Sequence, residues 1–546
     1  MEYTPIPNKE QLAVHLPALS NAKALAVIIE TSGPDPHTDG LLSMRLAADN
    51  APAVEIDFAS FLPGGAEILK DILESRGVKI FHDAKSDLQF LMNIGVSPPV
   101  VFDAALADQL LKTSGGPGLP NLAERDADSL LRLREAAAKK LYGDSLAEIA
   151  RIEFACVRAV AEMEYAGVFL DAGRWGRLTE RTEAERDGAL ELLYRYSGRP
   201  SVQLNLFGED VALGSNFDSN QYILKLLRSC GIETGATSKR DLSEYADHPL
   251  IAALTAYRKA TKALTGFLYP IPKMINPATG RLHPRYGQIG AWSGRMSCGG
   301  PNIQQIPRDK NFRECFAAPP GKKLIIADYS QIELRVAARI SGDRRMIEAY
   351  RRGEDLHALT ASLISDVRTD DVTAAQRQAA KAVNFGLIFG MGAAGLRRYA
   401  KQSYGTEMTL GQAERFRDGF FRAYPGIAEW HRKIKNSPPG EARTISGRKF
   451  IFGGNPGYSG LYNTPVQGTA ADIMKSALGG IARRAGGSGA KIIAAVHDEI
   501  LLEAAEDDAP AAAAMLKEIM ERAGNEILSG VPCVADVKIA GSWAGK

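Results

Sequence analysis

The stretch Lys322-Lys-Leu-Ile-Ile-Ala-Asp328-Tyr-Ser-Gln-Ile-Glu333-Leu-Arg335 decides how the rest of the chain is read. Leu324 to Ala327 is a short apolar run, the pattern of a buried strand, and from Gln331 onward the pattern is amphipathic and helical. Asp328 therefore falls at the end of a strand, where a rigid backbone can aim one carboxylate at a metal or cap the following helix. A second patch, Lys491-Ile-Ile-Ala-Ala-Val496-His497-Asp498-Glu499-Ile500-Leu-Leu-Glu503, places two apolar segments around His-Asp-Glu, which reads as a β-hairpin with polar residues at its tip. Taken singly, a helix cap and an acidic turn are ordinary. Taken together, Asp328 and Asp498 can place two carboxylates around a pair of Mg²⁺ ions ~3.5–4 Å apart, the arrangement that serves phosphoryl transfer.

The third patch is Gln376-Arg377-Gln-Ala-Ala-Lys381-Ala-Val-Asn384-Phe385-Gly386-Leu-Ile-Phe389-Gly390. On a helix, Arg377, Lys381 and Asn384 fall within about 60° of one another, with Phe385 beside them. One face then presents two cations followed by an aromatic ring, which suits a triphosphate and a stacked base. A solvated basic face fits less well, because Phe385 and Phe389 adjoin it.

Composition is close to ordinary globular usage. The 546 residues predict three to five domains at ~100–200 residues each. Hydrophobic residues make up 45% and charged residues 24%, which excludes a disordered or collagen-like chain. No apolar run reaches the ~18–20 residues of a membrane span, and Met1 to Glu10 lacks the basic and apolar segments of a signal peptide. The five cysteines show no C-x-x-C spacing, favouring a reduced cytosolic setting. Residues 1–150 carry 13 Lys+Arg against 21 Asp+Glu, a balance of −8; of the totals 66 and 64, the remainder holds 53 against 43, or +10. A basic body behind an acidic front domain suits a polyanion partner, although ordinary surface variation produces similar imbalances.

Apolar runs at Ala24–Ile29 and Leu41–Ala48, separated by a Gly/Pro/Asp turn, read as neighbouring strands, and strand–helix alternation to about residue 150 suggests an α/β domain. Helical patterning follows from Leu146 to Leu193, a Gly/Asn/Ser-rich connection over 198–221, and further helix over 219–230 and 248–269. Residues 436–463 read as irregular surface structure with a hairpin around Arg443–Phe452.

The three patches resemble motifs A, B and C of the family A DNA polymerases, the DNA polymerase I type, in content, order and separation. Here they are D-Y-S-Q-I-E-L-R from Asp328, R-x-x-x-K-x-x-N-F-G from Arg377, and V-H-D-E from Val496. Further family motifs are Ser293-Gly-Arg295-Met-Ser297, Pro301-Asn302-Ile-Gln304-Gln-Ile-Pro307, Asp355-Leu-His357 and Asn463-x-Pro465-x-Gln467-Gly468-Thr-Ala-Ala-Asp472. The resemblance covers roughly 155–546. It implies a mixed α/β and α+β multidomain chain: a ribonuclease H-like 3′–5′ exonuclease-type domain over 1–155, thumb and start of the polymerase region over 156–290, palm over 291–355, fingers over 356–462, and the second part of the palm over 463–546.

By this resemblance Asp328, Asp498 and the Tyr329 carbonyl would ligate two Mg²⁺ ions, which Mn²⁺ can replace, with Glu499 beside them. Arg377, Lys381 and His357 would bind the triphosphate, and Lys381 would protonate the pyrophosphate. Phe385 would pack on sugar and base, a Phe there being associated in the family with discrimination against dideoxynucleotides. Gln331 and Phe389 would complete the nucleotide site, and Glu333 would close the space of a ribose 2′-OH. Arg295, Asn302, Gln304, Asn463, Gln467 and His497 would contact primer–template DNA, reading minor-groove acceptors shared by all correct pairs. In the thumb, Asn216 and Ser219, with Thr237-Ser238-Lys239, would grip phosphates, although a helix cap also accounts for Ser219. Two departures stand out. Phe389 replaces the usual Tyr and loses its hydroxyl, and S-G-R-M-S replaces T-G-R-L-S.

The front domain resembles the proofreading exonuclease of this family with its site degraded. The D-x-E motif appears as Ile28-Ile29-Glu30, the second motif keeps Asp87, and the third is read at Ile149-Ala-Arg-Ile-Glu153, with Ile for Tyr and Glu for Asp. Ile28 cannot ligate a metal, so little or no hydrolysis is expected, with Glu30, Asp87 and Glu153 left as surface acids. Because the first strand begins near Ala24, no 5′-nuclease domain is expected in front. The expected protein is a monomeric, cytoplasmic DNA-templated DNA polymerase, of a bacterium or its virus with an organelle left open, acting on primer–template DNA and dNTPs. Rival readings are the same polymerase with residual exonuclease, a single-subunit RNA polymerase, and a catalytically dead DNA-binding clamp.

Overall fold

The computed structural model describes residues 3–49, 51–61, 66–119, 122, 126–198, 202–204, 210–212, 216–436, 440–452, 454, 456–485 and 489–546. Residues 199–201, 205–209 and 213–215 of the connection read at 198–221 lie outside them.

The apolar runs of the front segment form a six-stranded sheet in the order Thr4–Ile6, Ala51–Asp57, Leu41–Ala48, Ala24–Thr31, Val78–Phe81, Val101–Asp103. The three strands between Ala24 and Asp57 run antiparallel, and Val78–Phe81 and Val101–Asp103 continue the sheet in parallel. Helices connect the parallel strands, as such crossovers require. The core is continuous from Ile6 to Ala161 and takes in Ile289 from the body. Helix Ala147–Ala166 buries one side in this core and another in the core of the body.

The body is built on a four-stranded antiparallel sheet in the order Lys491–Val496, Glu499–Ala505, Lys322–Tyr329, Ala535–Ala540. Leu324, Ile325, Ile326 and Ala327 are buried because their strand is central and covered by helices, including Ala509–Leu528. Helices Leu356–Ser365, Ala374–Ile388, Ala393–Tyr404, Leu410–Ala423 and Pro425–Asn436 pack into one layer of the same core. Helix Ala172–Ser197 pairs with Pro249–Ala263; at its far end Leu193, Phe217, Ile223, Leu227, Leu250 and Leu254 form a small separate core.

The stretch read as irregular differs from the expectation at its end. Glu441–Arg443 pairs with Lys449–Ile451 as a hairpin, but Gly457 begins a helix that runs to Ala485 despite Pro465. The burial of Leu461, Tyr462 and Val466 in the core outweighs the proline's lost donor.

Candidate active site

Strand register sets the acids at one end of the four-stranded sheet. Asp328, one residue before the end of its strand, stands opposite Glu499 on one side and Asp536 on the other. The turn between Val496 and Glu499 is tight, with His497 in the left-handed region at φ 58°. The Tyr329 N–H donates to the Asp498 carbonyl at 3.2 Å, tying that turn to the end of the Asp328 strand.

Burial and the neighbouring Asp498 charge push the Asp328 carboxyl up to about 6. Asp498 is raised too, chiefly by burial. Asp328 Oδ1 is buried and has no hydrogen-bond partner among the described residues. Asp328 Oδ2 accepts from Lys546 Nζ at 2.6 Å, and the same ammonium reaches Glu499 Oε2 at 2.6 Å. Glu499 is buried, accepts from the Trp543 indole N–H, and lies 3.5 Å from Arg313. An orphaned carboxylate oxygen and an ammonium between two acids fit a site for a hard cation, and an all-oxygen donor set suits Mg²⁺ or Mn²⁺. Among the described residues no three His, Cys, Asp or Glu side chains converge as a self-sufficient metal cluster.

A cavity of about 280 Å³ opens beside these acids, lined by Arg295, Gln304, Arg308, Glu333, His497 and Asp498. Arg295 and Glu333 form a hydrogen-bonded ion pair at this cavity. Gln331, in the left-handed region at φ 54°, precedes the Glu333 helix and accepts from the Tyr350 hydroxyl at 3.3 Å.

Helix Ala374–Ile388 starts with a capping box between Thr373 and Gln376. Its Arg377 donates to Asp355 Oδ2 at 2.6 Å. Asp355 also caps helix Leu356–Ser365 through the His357 N–H at 2.9 Å. Lys381 is half-buried and lies near enough to His357 to depress its pKa. Asn384 does not share the open cationic face: it is fully buried, accepts from Thr360 at 2.9 Å and donates to His357 Nδ1 at 2.9 Å. The packing of Leu356–Ser365 against this helix turns that position inward. Burial holds His357 down at about 4. The Phe385 ring lies 5.8 Å from the His357 ring, and Phe389 caps the helix end, partly packed on the core.

Residues 204–545 match DNA polymerase family A, and residues 3–155 match a 3′–5′ exonuclease family. The chain belongs to DNA polymerase family A. DNA polymerase I of Aquifex aeolicus is 29% identical across the whole of both chains. DNA polymerase I of Chloroflexus aurantiacus is 33% identical over 77% of this chain and 46% of its own length. That of Pseudomonas aeruginosa is 33% identical over 80% of this chain and 48% of its own. The chain thus spans all of the first relative and about half of the other two. Among solved structures, the polymerase domain of Pol1 from M. smegmatis, in complex with DNA primer-template and dNTP, aligns with a TM-score of 0.80, 25% identity and 99% coverage of both chains. The protein is therefore a DNA-directed DNA polymerase with an N-terminal exonuclease-type domain, as its motifs imply.

Arg295, which lines the cavity, sits in the loop between Arg285–Gly287 and Ser297–Gly299. Gln304 donates to the Ala495 carbonyl at 3.4 Å, and Asn302 accepts from the Gln304 N–H at 3.1 Å. Asn463 carries a buried Oδ1 that has no partner among the described residues, and Gln467 follows one turn later on the long helix. His497 is held below its usual pKa by partial burial and by Arg295 and Arg308. Ser219 is a helix cap, its hydroxyl accepting from the Tyr222 N–H at 3.4 Å, and Asn216 is exposed.

The exonuclease-type domain of the polymerase departs from the sequence reading at Glu153. Far from being a surface acid, Glu153 is fully buried; its Oε1 accepts from Arg448 and from Lys475 (2.6 Å), and its Oε2 accepts from Gln288. Burial alone would raise its pKa, but the Lys475 and Arg448 charges hold it low. Ile149 is buried in the front core. This segment is therefore a structural joint to the body and has no free oxygen for a metal. Glu30 is exposed at its strand end and lies 3.2 Å from Arg45, which stands opposite Ile28 in register. Arg45 also lies over the Tyr3 ring, 5.6 Å from its centroid, and the Tyr3 hydroxyl accepts from the Ala127 N–H at 3.2 Å. Tyr3 thus links Arg45 to the start of helix Ala127–Gly143, which Asp126 caps. Asp87 lies on helix Ala84–Asn93, half-buried. Sequence reasoning missed Asp126, Arg45, Arg313, Trp543 and Lys546; for Asp126 the acidic pair Asp126-Ala-Asp128 was an available signal.

Proposed function

We propose that this polymerase extends a primer 3′-OH by attack on the α-phosphate of a dNTP, with Asp328 and Asp498 holding two divalent ions, and that its exonuclease-type domain does not proofread. The observation that carries the reading is the Asp328 carboxylate, partly unsatisfied and raised by burial and by the charge of Asp498, which itself lines the cavity. Family A polymerases are metal-dependent in general. When bound, Mg²⁺ or Mn²⁺ would lower the pKa of the primer hydroxyl and neutralise charge on the leaving oxygen, with nucleotide phosphates completing its oxygen ligands.

The chain's own residues do the rest. Arg377 and Lys381 face the triphosphate as cations, and Lys381 supplies a proton to pyrophosphate. His357 contributes as a neutral donor: since Asn384 donates to Nδ1, the proton resides on Nε2. Phe385 packs on base and sugar, with Gln331 and Phe389 at the edge of the nucleotide site, and Glu333 fills the space of a 2′-OH. Arg295, Asn302, Gln304, Asn463, Gln467 and His497 face primer–template, and Asn216 and Ser219 its phosphates. Glu499 keeps the acidic cluster oriented through Trp543 and Arg313. Loss of proofreading rests on Ile28 in place of an acid, on Glu30 paired with Arg45, and on the occupied Glu153. Bacterial relatives favour a bacterial cytoplasmic setting, and we take the working unit to be one chain.

An end-labelled primer–template with Mg²⁺ and four dNTPs tests the assignment. The natural protein should extend the primer, and Asp328→Ala should lower the rate by about a thousandfold or more while still binding duplex. Retained extension by the variant removes the metal role from Asp328, and equal use of rNTPs favours an RNA polymerase.

A further inference from the structure

The segment that follows strand Ala535–Ala540 is not a loose tail. The Ala318 N–H donates to the Gly541 carbonyl at 2.9 Å, Ser542 bridges to Ala317, and the Trp543 N–H donates to the Phe316 carbonyl at 2.9 Å. The Trp543 ring is buried, meets Phe316 edge-on at 5.6 Å, and lies under the Arg313 guanidinium at 4.2 Å. This anchoring delivers Lys546 to the palm, where its ammonium sits 2.6 Å from both Asp328 Oδ2 and Glu499 Oε2. The two acids outweigh burial and keep that ammonium charged. Its charge also reaches Asp498. Three carboxylates crowd one strand end, and Lys546 is the cation that bridges two of them.

We propose that Lys546 is a resident counter-ion of the palm, which a divalent ion must displace from Asp328, so that Lys546 sets the affinity of the free enzyme for its metal. The inference rests on the reading of Asp328 and Asp498 as metal ligands. Its physical basis is direct. An ammonium within hydrogen-bond distance of Asp328 Oδ2 occupies one coordination direction of that carboxylate and repels a divalent cation approaching Oδ1. In return, it lessens the mutual repulsion of Asp328, Asp498 and Glu499 while the enzyme is free.

The test is Mn²⁺ binding to the full chain without DNA or nucleotide, followed by the electron paramagnetic resonance signal of free Mn²⁺. Lys546→Gln, which keeps a polar side chain and loses the charge, should bind Mn²⁺ about tenfold more tightly than the natural protein. Lys546→Arg should stay within about twofold of it. Asp328→Asn should lose the tight site. If Asp328→Asn loses it while Lys546→Gln binds as the natural protein does, or more weakly, the counter-ion role is overturned and Lys546 merely fixes the acids. An arginine variant as tight as the glutamine one overturns it as well, since charge would then be irrelevant. If Asp328→Asn binds Mn²⁺ unchanged, the metal assignment itself falls, and this inference with it.

Discussion

Arg295 donates to the carboxylate of Glu333 at the cavity that Asp498 lines, so the side chain that would face the sugar of an incoming nucleotide is fixed by an ion pair from a separate loop. A carboxylate held in place excludes a 2′-OH both sterically and by leaving it unpaired. Glu333→Ala should therefore raise ribonucleotide incorporation relative to deoxynucleotide by about a hundredfold, read as the ratio of kcat/KM values. Arg295→Gln should relax the same ratio less, because Glu333 remains but is free to turn. Unchanged sugar selectivity in Glu333→Ala would take the gate role from it.

His357 offers a pH prediction. Its pKa is lowered by burial to about 4, below the usual ~6.5, so in the folded enzyme it stays neutral throughout the working range. The KM for dNTP should show no histidine inflection between pH 5.5 and 7.5, and an inflection near 6.5 would mean that a charged His357 grips the triphosphate. The stability consequence has a definite sign. Between about 6.5 and about 4 the unfolded chain binds a proton at this residue that the folded chain does not, so its contribution to stability diminishes as pH falls through that window.

Glu153 makes a stability prediction. Its carboxylate, Arg448, Lys475 and Asp472 form a buried, charge-balanced cluster joining the front domain to the body. Glu153→Ala leaves Lys475 buried without an acid in contact, which should cost ~3–5 kcal/mol of unfolding free energy. Denaturant unfolding of the full chain measures it. A loss below ~1 kcal/mol would mean that water or a rearranged Asp472 compensates.

The four-stranded sheet and its acids were legible because their cues are local. Leu324–Ala327 announces a buried strand, the apolar flanks of His497-Asp498 announce a hairpin, and the fold need only place the two side by side. The cationic helix was legible for Arg377 and Lys381, but Asn384 depends on which neighbour covers that turn, and Leu356–Ser365 does. Glu153 carries no local sign of burial; its partners Arg448 and Lys475 lie 295 and 322 residues away. Lys546 is similar, reaching Asp328 across 218 residues because Trp543 packs on Phe316. Long-range ion pairs such as these leave no periodicity in the sequence.

The exonuclease-type domain carries the last prediction. With Mg²⁺ and no dNTP, an end-labelled primer should remain intact, because Ile28 supplies no ligand, Glu30 is paired with Arg45, and Glu153 is spent on Arg448 and Lys475. Restoring one acid should not suffice. In Ile28→Asp the new carboxylate would stand opposite Arg45 in the strand register and form an ion pair rather than an open metal site, so cleavage should stay at background. The double change Ile28→Asp with Arg45→Ala frees both Glu30 and the new acid, beside the helix start that carries Asp126, and is the variant in which cleavage should reappear if that acid is the third ligand. Shortening of the primer by the natural protein, retained in Asp328→Ala, would instead show that the domain still cuts through acids other than these.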